Sequence, residues 1–300
     1  MALMAGCSTQ RDDDELFAPD EVGVIVVDAR LLVDREMSDV RLRLTQPPGR
    51  IYDEEEAALR GAVVTISSDT TITFREVAPG RYQPDFVLER QVILPNTRYD
   101  LYVAAPDGRV VTATTTTPDR FSVREWLRID LDTGQVIDTL ATSAESPPPE
   151  AVYQANRFVY QDGLIEARFE RVNCAAYQVA LKSLDEGSPL VIDADFLSDE
   201  EIAELTRDAT SPPFDAREGS IRLPWFAVFF EGRHRFLTYA IDRNWYDLIR
   251  TTPEFGGTGG GFGGNAGDNF ERPIFHVEGG IGLFGSGSMD EAGFYVLPKP

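Results

Sequence analysis

The sequence predicts a mainly β chain, with an N-terminal immunoglobulin-like β-sandwich followed by a second β-sandwich-type domain that carries one short helix. Three observations lead there. Val, Ile, Thr, Tyr and Phe fill the strand-like positions, and these residue types suit a pleated, half-buried surface. Apolar residues alternate over short runs instead of recurring at helical spacing. Turn residues punctuate the runs at regular intervals.

The first 21 residues read as an address. Met4-Ala5-Gly6-Cys7 looks like a lipobox, an aliphatic residue and two small ones before the cysteine that receives the lipid. The signal peptide it implies is short, because only six residues precede Cys7 where an apolar region of about 7–15 is usual. Ser8 to Asp20 is polar and holds the acidic run Asp12-Asp13-Asp14-Glu15, which suits a flexible tether. Two readings of that run stand: a solvated linker, or the acidic signal that sends some bacterial lipoproteins to the cell surface. No run of 18 or more apolar residues occurs, so a lipid on Cys7 is the expected membrane anchor.

Residues 22–118 form the expected first sandwich. The runs are VGVIVVDARLLV, DVRLRLTQ, GAVVTISS and TTITFREV, then a strand opening at Pro79-Gly80-Arg81-Tyr82, then RYDLYVAAPDGRVVTATTTTP. In the last, Pro106-Asp107-Gly108 supplies a hairpin turn while Tyr99, Leu101 and Val103 alternate. About seven strands in roughly 100 residues match the immunoglobulin pattern. The Cys-Trp-Cys framework of antibody domains is missing.

Residues 119–300 form the expected second domain. Trp126 to Leu131 and Val136 to Leu140 pair across Asp132-Thr133-Gly134, and GLIEARFERV and CAAYQVALKSL read as a strand pair. Ser198 caps a helix over Ser198 to Arg207, with Glu201 at the capping-box position. IRLPWFAVFFEGRHRFLTYAID reads as a hairpin turning at Glu231-Gly232-Arg233. A glycine-rich loop spans 255–267.

Composition narrows the function classes. The formal net charge is -22, which opposes binding to phosphate backbones or to anionic bilayers through a basic face. Lys182 and Lys299 are the only lysines, a depletion that fits either a GC-rich genome or adaptation to high salt. Two cysteines are present, and with Cys7 lipidated Cys174 has no partner and reads as a small buried hydrophobe.

Candidate chemistry is sparse, and no catalytic residue, cofactor or metal site is expected. His234 and His276, the only histidines, lack further ligands at metal spacing. Asp130, Asp132 and Asp138 fit a hairpin turn better than a calcium loop. The glycines from Gly256 to Gly264 do not end in Gly-Lys-Ser/Thr and are not a phosphate loop. No G-x-S-x-G elbow occurs. The lead for binding is an aromatic cluster: Trp225, Phe226, Phe229, Phe230, Phe236, Tyr239, Trp245 and Tyr246. Most of it reads as core, while Trp245 and Tyr246, near the strand end, form a possible binding surface.

The C-terminal Glu278-Gly279-Gly280-Ile281-Gly282-Leu283-Phe284-Gly285-Ser286 resembles the closing motif of a bacterial lipoprotein family catalogued as domain of unknown function 4249. GAVVTI, PGRY, TRYDLYV, ATTTTP and the lipobox cysteine fit that family's layout over nearly the whole chain. The sequence departs from it at His276-Val277, where an Asn-Ile-like pair is expected. The resemblance implies an outer-membrane lipoprotein, periplasmic or surface-facing and often encoded beside a TonB-dependent-type transporter; it implies no catalytic residues. On the residues alone, the motif reads as a bulged terminal strand closing the second domain. The expected function is a non-enzymatic binding or accessory lipoprotein whose partner is such a transporter or a glycan or protein ligand, and not nucleic acid. A surface adhesin or structural protein is the alternative, and a carboxylate-dependent hydrolase the third reading.

Overall fold

The computed structural model describes residues 22–47, 49–85, 92–160, 163–191, 207–223, 227–252 and 273–298. Cys7 and its tether, Trp225, Phe226, the expected helix at 198–207 except Arg207, and the glycine-rich stretch 255–267 lie outside the described residues. Within them the chain is mainly β, with a 13-stranded sheet, a 4-stranded sheet and three short helices.

The first sandwich has the expected seven strands: β1 (Ile25–Leu32), β2 (Val40–Leu44), β3 (Val63–Ser67), β4 (Thr71–Ala78), β5 (Arg81–Pro84), β6 (Arg98–Ala104) and β7 (Val110–Thr116). A short helix, α1 (Glu54–Ala57), follows the β2 loop. The pairing order is β1-β2-β5-β4 and β3-β6-β7, with β3 and β4 also joined as a hairpin. That is the connectivity of an immunoglobulin constant-type sandwich. Alternation drives it: Val27, Ala29 and Leu31 on β1, and Tyr99, Leu101 and Val103 on β6, all point inward and are buried. Tyr82 is also buried, and its hydroxyl is satisfied by donating to the Leu59 carbonyl at 2.7 Å and accepting from the Ala62 amide at 3.0 Å.

The second half packs two sheets face to face. One layer holds β8 (Val123–Ile129), β9 (Val136–Thr139), β11 (Leu164–Phe169) and β14 (Ser220–Arg222), in the order β14-β11-β8-β9. The other holds β12 (Ala176–Ser183), β13 (Asp208–Thr210), β15 (Gly232–Ile241) and β17 (Ile281–Val296), with the short β10 (Arg157–Phe158) on β17. Between them lies a core of Trp126, Ile165, Tyr177, Phe236, Phe294 and their neighbours. Trp126 meets Phe236 edge-on across the layers at 5.4 Å. Helices α2 (Glu150–Ala155) and α3 (Arg243–Thr251) were not expected from the sequence.

An expected strand pair and an expected hairpin are corrected. GLIEARFERV and CAAYQVALKSL become β11 and β12, which enter different sheets and face each other across the core. Ile165, Ala167 and Phe169 on β11 and Tyr177, Val179 and Leu181 on β12 all enter the core between the sheets, where the two strands cover each other as neighbours in one hairpin could not. IRLPWFAVFFEGRHRFLTYAID likewise divides. Its start is β14 in the small sheet, and its end is β15 in the large one. Between them the backbone at Phe229 and Glu231 bonds to Val191 and Pro189, and not to a hairpin partner.

The C-terminal glycine motif also lands elsewhere than expected. Short β16 (Val277–Glu278) pairs with β7, and after Gly279-Gly280 the chain turns into β17. From Ile281 to Gly287, β17 runs parallel to β1, in the first sandwich. From Gly287 to Val296 it runs antiparallel to β15, in the second. One strand therefore closes the first sandwich and builds the second. Phe284, fully buried, belongs to the N-terminal core, while Phe294 and Val296 belong to the other. Gly282 is required for this: its φ is +107°, and a Cβ there would lie 2.1 Å from the Val27 carbonyl oxygen.

Candidate functional site

The seam where the two cores meet is covered by α3, which carries both aromatic residues singled out from the sequence. Asp242 caps the helix, accepting from the Trp245 amide at 2.9 Å. Sequence signals for this helix exist in hindsight: an Asp cap, then Trp245 and Ile249 one turn apart. They were masked by the strongly strand-like run before them.

The first turn of α3 fills the gap between β7 and β17. Asn244 Nδ2 donates to the Thr114 carbonyl at 2.7 Å and to the Phe284 carbonyl at 2.8 Å. Thr115 and Ser286 share a hydrogen bond at 2.7 Å, and the Thr115 hydroxyl also donates to Asp242. Asp242, Thr115 and Ser286 are all buried. Burial pushes the Asp242 carboxyl above its ordinary range, against the hydrogen bonds from Thr115, Trp245 and Ser286. This cluster is satisfied within itself and holds strand, strand and helix in one geometry.

Trp245 is 8% exposed and packs with Ala176, Ile241, Ile249 and Leu283. The β17 backbone makes room for it: a Cβ on Gly285 would sit 3.2 Å from Trp245 Cβ. The Arg30 guanidinium lies 5.3 Å from the ring centroid. The surface role expected of Trp245 is corrected by this burial: the ring is a wedge holding α3 to the seam. The neighbouring Tyr246 is half-buried and carries the surface reading alone. The Arg243 and Arg250 guanidiniums each lie 5.3 Å from its ring centroid.

Those arginines are held from below by Asp247, which is 3% exposed. Arg243 Nε donates to one carboxylate oxygen and Arg250 Nε to the other, each at 2.7 Å. His276 Nε2 lies 2.9 Å from Asp247 Oδ2. Burial raises the Asp247 carboxyl, but the hydrogen bonds from Arg250, His276 and Arg243 outweigh it and hold the group below the ordinary range. The Thr251 hydroxyl donates to the Asp247 carbonyl and accepts from the Ile274 amide. The chain that leaves α3 is thereby fastened to the same helix when it returns. Chemically, the patch offers an aromatic face, two guanidiniums already held in place and one partly exposed imidazole. That combination suits recognition of a carboxylate-bearing or aromatic surface.

The remaining sequence candidates occupy structural places. Asp130 accepts from the amides of Asp132 and Thr133 and from the Thr133 hydroxyl, which makes it the cap of the β8–β9 turn. Cys174 is free and half-buried before β12, and burial pushes its thiol pKa up. Among the described residues, no three His, Cys, Asp or Glu side chains converge as a metal site, and no helix is long and apolar enough to cross a membrane.

His234 is buried at 1% exposure, stacked on Phe294, with Nδ1 3.0 Å from the Gly232 carbonyl. Burial lowers its pKa to about 4. The unfolded chain takes up that proton near pH 6.5, before the folded chain does, so stability falls as pH drops from about 6.5 to 4. We expect this group to cost about 2 kcal/mol between pH 7.5 and 5. His234→Phe should remove that share of the slope in urea denaturation across the same range; an unchanged slope would show that His234 charges in place.

A search among curated proteins finds no match. The family profile described as Domain of unknown function (DUF4249) matches residues 14–292, from within the polar segment through the closing strand. The chain belongs to this family.

Proposed function

We propose that the chain is a non-enzymatic cell-envelope lipoprotein, held at the outer membrane by a lipid on Cys7 and acting as a binding or accessory component of a TonB-dependent-type transporter. The observation that carries the reading is the Tyr246 patch, whose ring and guanidiniums are positioned by buried Asp247 on a helix wedged into a rigid double sandwich. Groups fixed before binding lose little entropy when a partner arrives. The lipobox-like Met4 to Cys7 and the polar segment after it support anchoring. A tether on the same membrane as the partner raises the effective concentration of a weak contact.

Two arms test this. Native protein should fractionate with membranes and carry lipid on Cys7 by mass spectrometry, and Cys7→Ala should release it or leave a precursor. Crosslinking in the cell should recover a transporter, and Tyr246→Ala should weaken that contact about tenfold with the fold intact. An unmodified Cys7 in the mature protein contradicts the anchor. A contact indifferent to Tyr246 contradicts the surface.

A further inference from the structure

A second polar surface lies on the first sandwich, around β2 and β5. Arg41 and Arg43 are two residues apart on β2 and therefore share a face. Arg41 stands directly opposite Arg81 on β5 in the antiparallel ladder. Like charges placed directly opposite repel and destabilise a strand pair. Such a pair is unexpected in a chain of net charge -22, where carboxylates to neutralise it abound.

The neighbouring arginines are neutralised. Arg43 Nη2 meets Glu54 at 2.6 Å, and Arg81 Nε meets Asp39 at 2.5 Å. Among the described residues no carboxylate forms an ion pair with Arg41: Asp28, opposite it on β1, pairs with Arg30 at 3.7 Å instead. The three guanidiniums, with Glu54, Glu55 and the Ala78-Pro79-Gly80 turn, line a surface cleft of about 590 Å³. That volume falls within the range of small-molecule sites. Guanidinium forks match the oxygens of carboxylates and phosphates with two parallel hydrogen bonds, and the two paired arginines are already held in place.

We propose that this cleft binds a small polyvalent oxyanion, a di- or tricarboxylate or a phosphorylated sugar, and that Arg41 supplies the guanidinium left without an ion pair that draws it in. This site is independent of the Tyr246 surface and of the anchor.

Isothermal titration of the folded chain at low salt, with citrate in one arm and fructose 1,6-bisphosphate in the other, tests it. We expect saturable binding of at least one probe, weakening as salt is raised. Arg41→Ala should weaken it about tenfold or more, with an unchanged Tm because the exposed side chain makes no ion pair. Binding of citrate alone assigns a carboxylate site, of the bisphosphate alone a phosphate site, and of both a general oxyanion site. No saturable heat from either probe, or equal affinity in Arg41→Ala, overturns the proposal. Tyr246→Ala, which changes no residue lining the cleft, should leave the titration unchanged, and a parallel loss there would also overturn it.

Discussion

Gly282→Ala is expected to destabilise the chain by about 3–5 kcal/mol, and Gly282→Val to prevent folding. The new Cβ would meet the Val27 carbonyl oxygen at 2.1 Å and the Val27 amide nitrogen at 2.9 Å. Neither atom is the end of a flexible side chain, since both belong to the backbone of β1, which pairs with β17 on one side and β2 on the other. At φ +107° the residue also occupies a region that a side chain disfavours. A domain of ordinary stability holds about 5–15 kcal/mol, so the alanine variant should fold with a much lower urea midpoint. A midpoint within about 0.5 kcal/mol of wild type would mean that β17 does not pair with β1 as described.

Trp245→Ala should cost about 3–5 kcal/mol, far more than Tyr246→Ala one residue along. Trp245 is wedged among Ala176, Ile241, Ile249 and Leu283 and over the glycine-bearing stretch of β17, so truncation leaves a cavity at the meeting point of three elements. Tyr246 is half-buried and should cost little stability while weakening partner contact. Chemical denaturation of the two variants side by side checks the difference. Equal losses would place both rings in the same environment and remove the distinction between wedge and surface.

The first sandwich was legible because its strands alternate cleanly and its turns carry their own chemistry. Tyr99, Leu101 and Val103 against Asp100 and Tyr102 fix β6, and Pro106-Asp107-Gly108 fixes the turn after it. The second half was read less well for a physical reason. β11 and β12 are buried along most of their length, and alternation within such short runs does not reveal which neighbour they pair with. Adjacency in sequence then suggests a hairpin where the chain crosses the core instead. The closing motif was recognised as a glycine-interrupted strand, but its parallel partner lies some 250 residues earlier, at Val26 to Leu32. Nothing local encodes that pairing. The candidate surface was half legible: the composition marked Trp245 and Tyr246 together, and only the helical turn that separates their faces tells wedge from patch. Asp247, Arg243 and Arg250 drew no notice, because charged residues at helical spacing are common on solvated faces.

Because β17 contributes to both cores, the two should unfold as one cooperative body. Native-state hydrogen exchange on Gly282→Ala tests it most directly, by following the slowest amides of β3 and β6 in the first sandwich and of β12 and β15 in the second. Both sets should lose protection together and by the same free energy, because the strand that the substitution disturbs is shared. Loss confined to one set, with the other as protected as in wild type, would show two independently stable domains and contradict it.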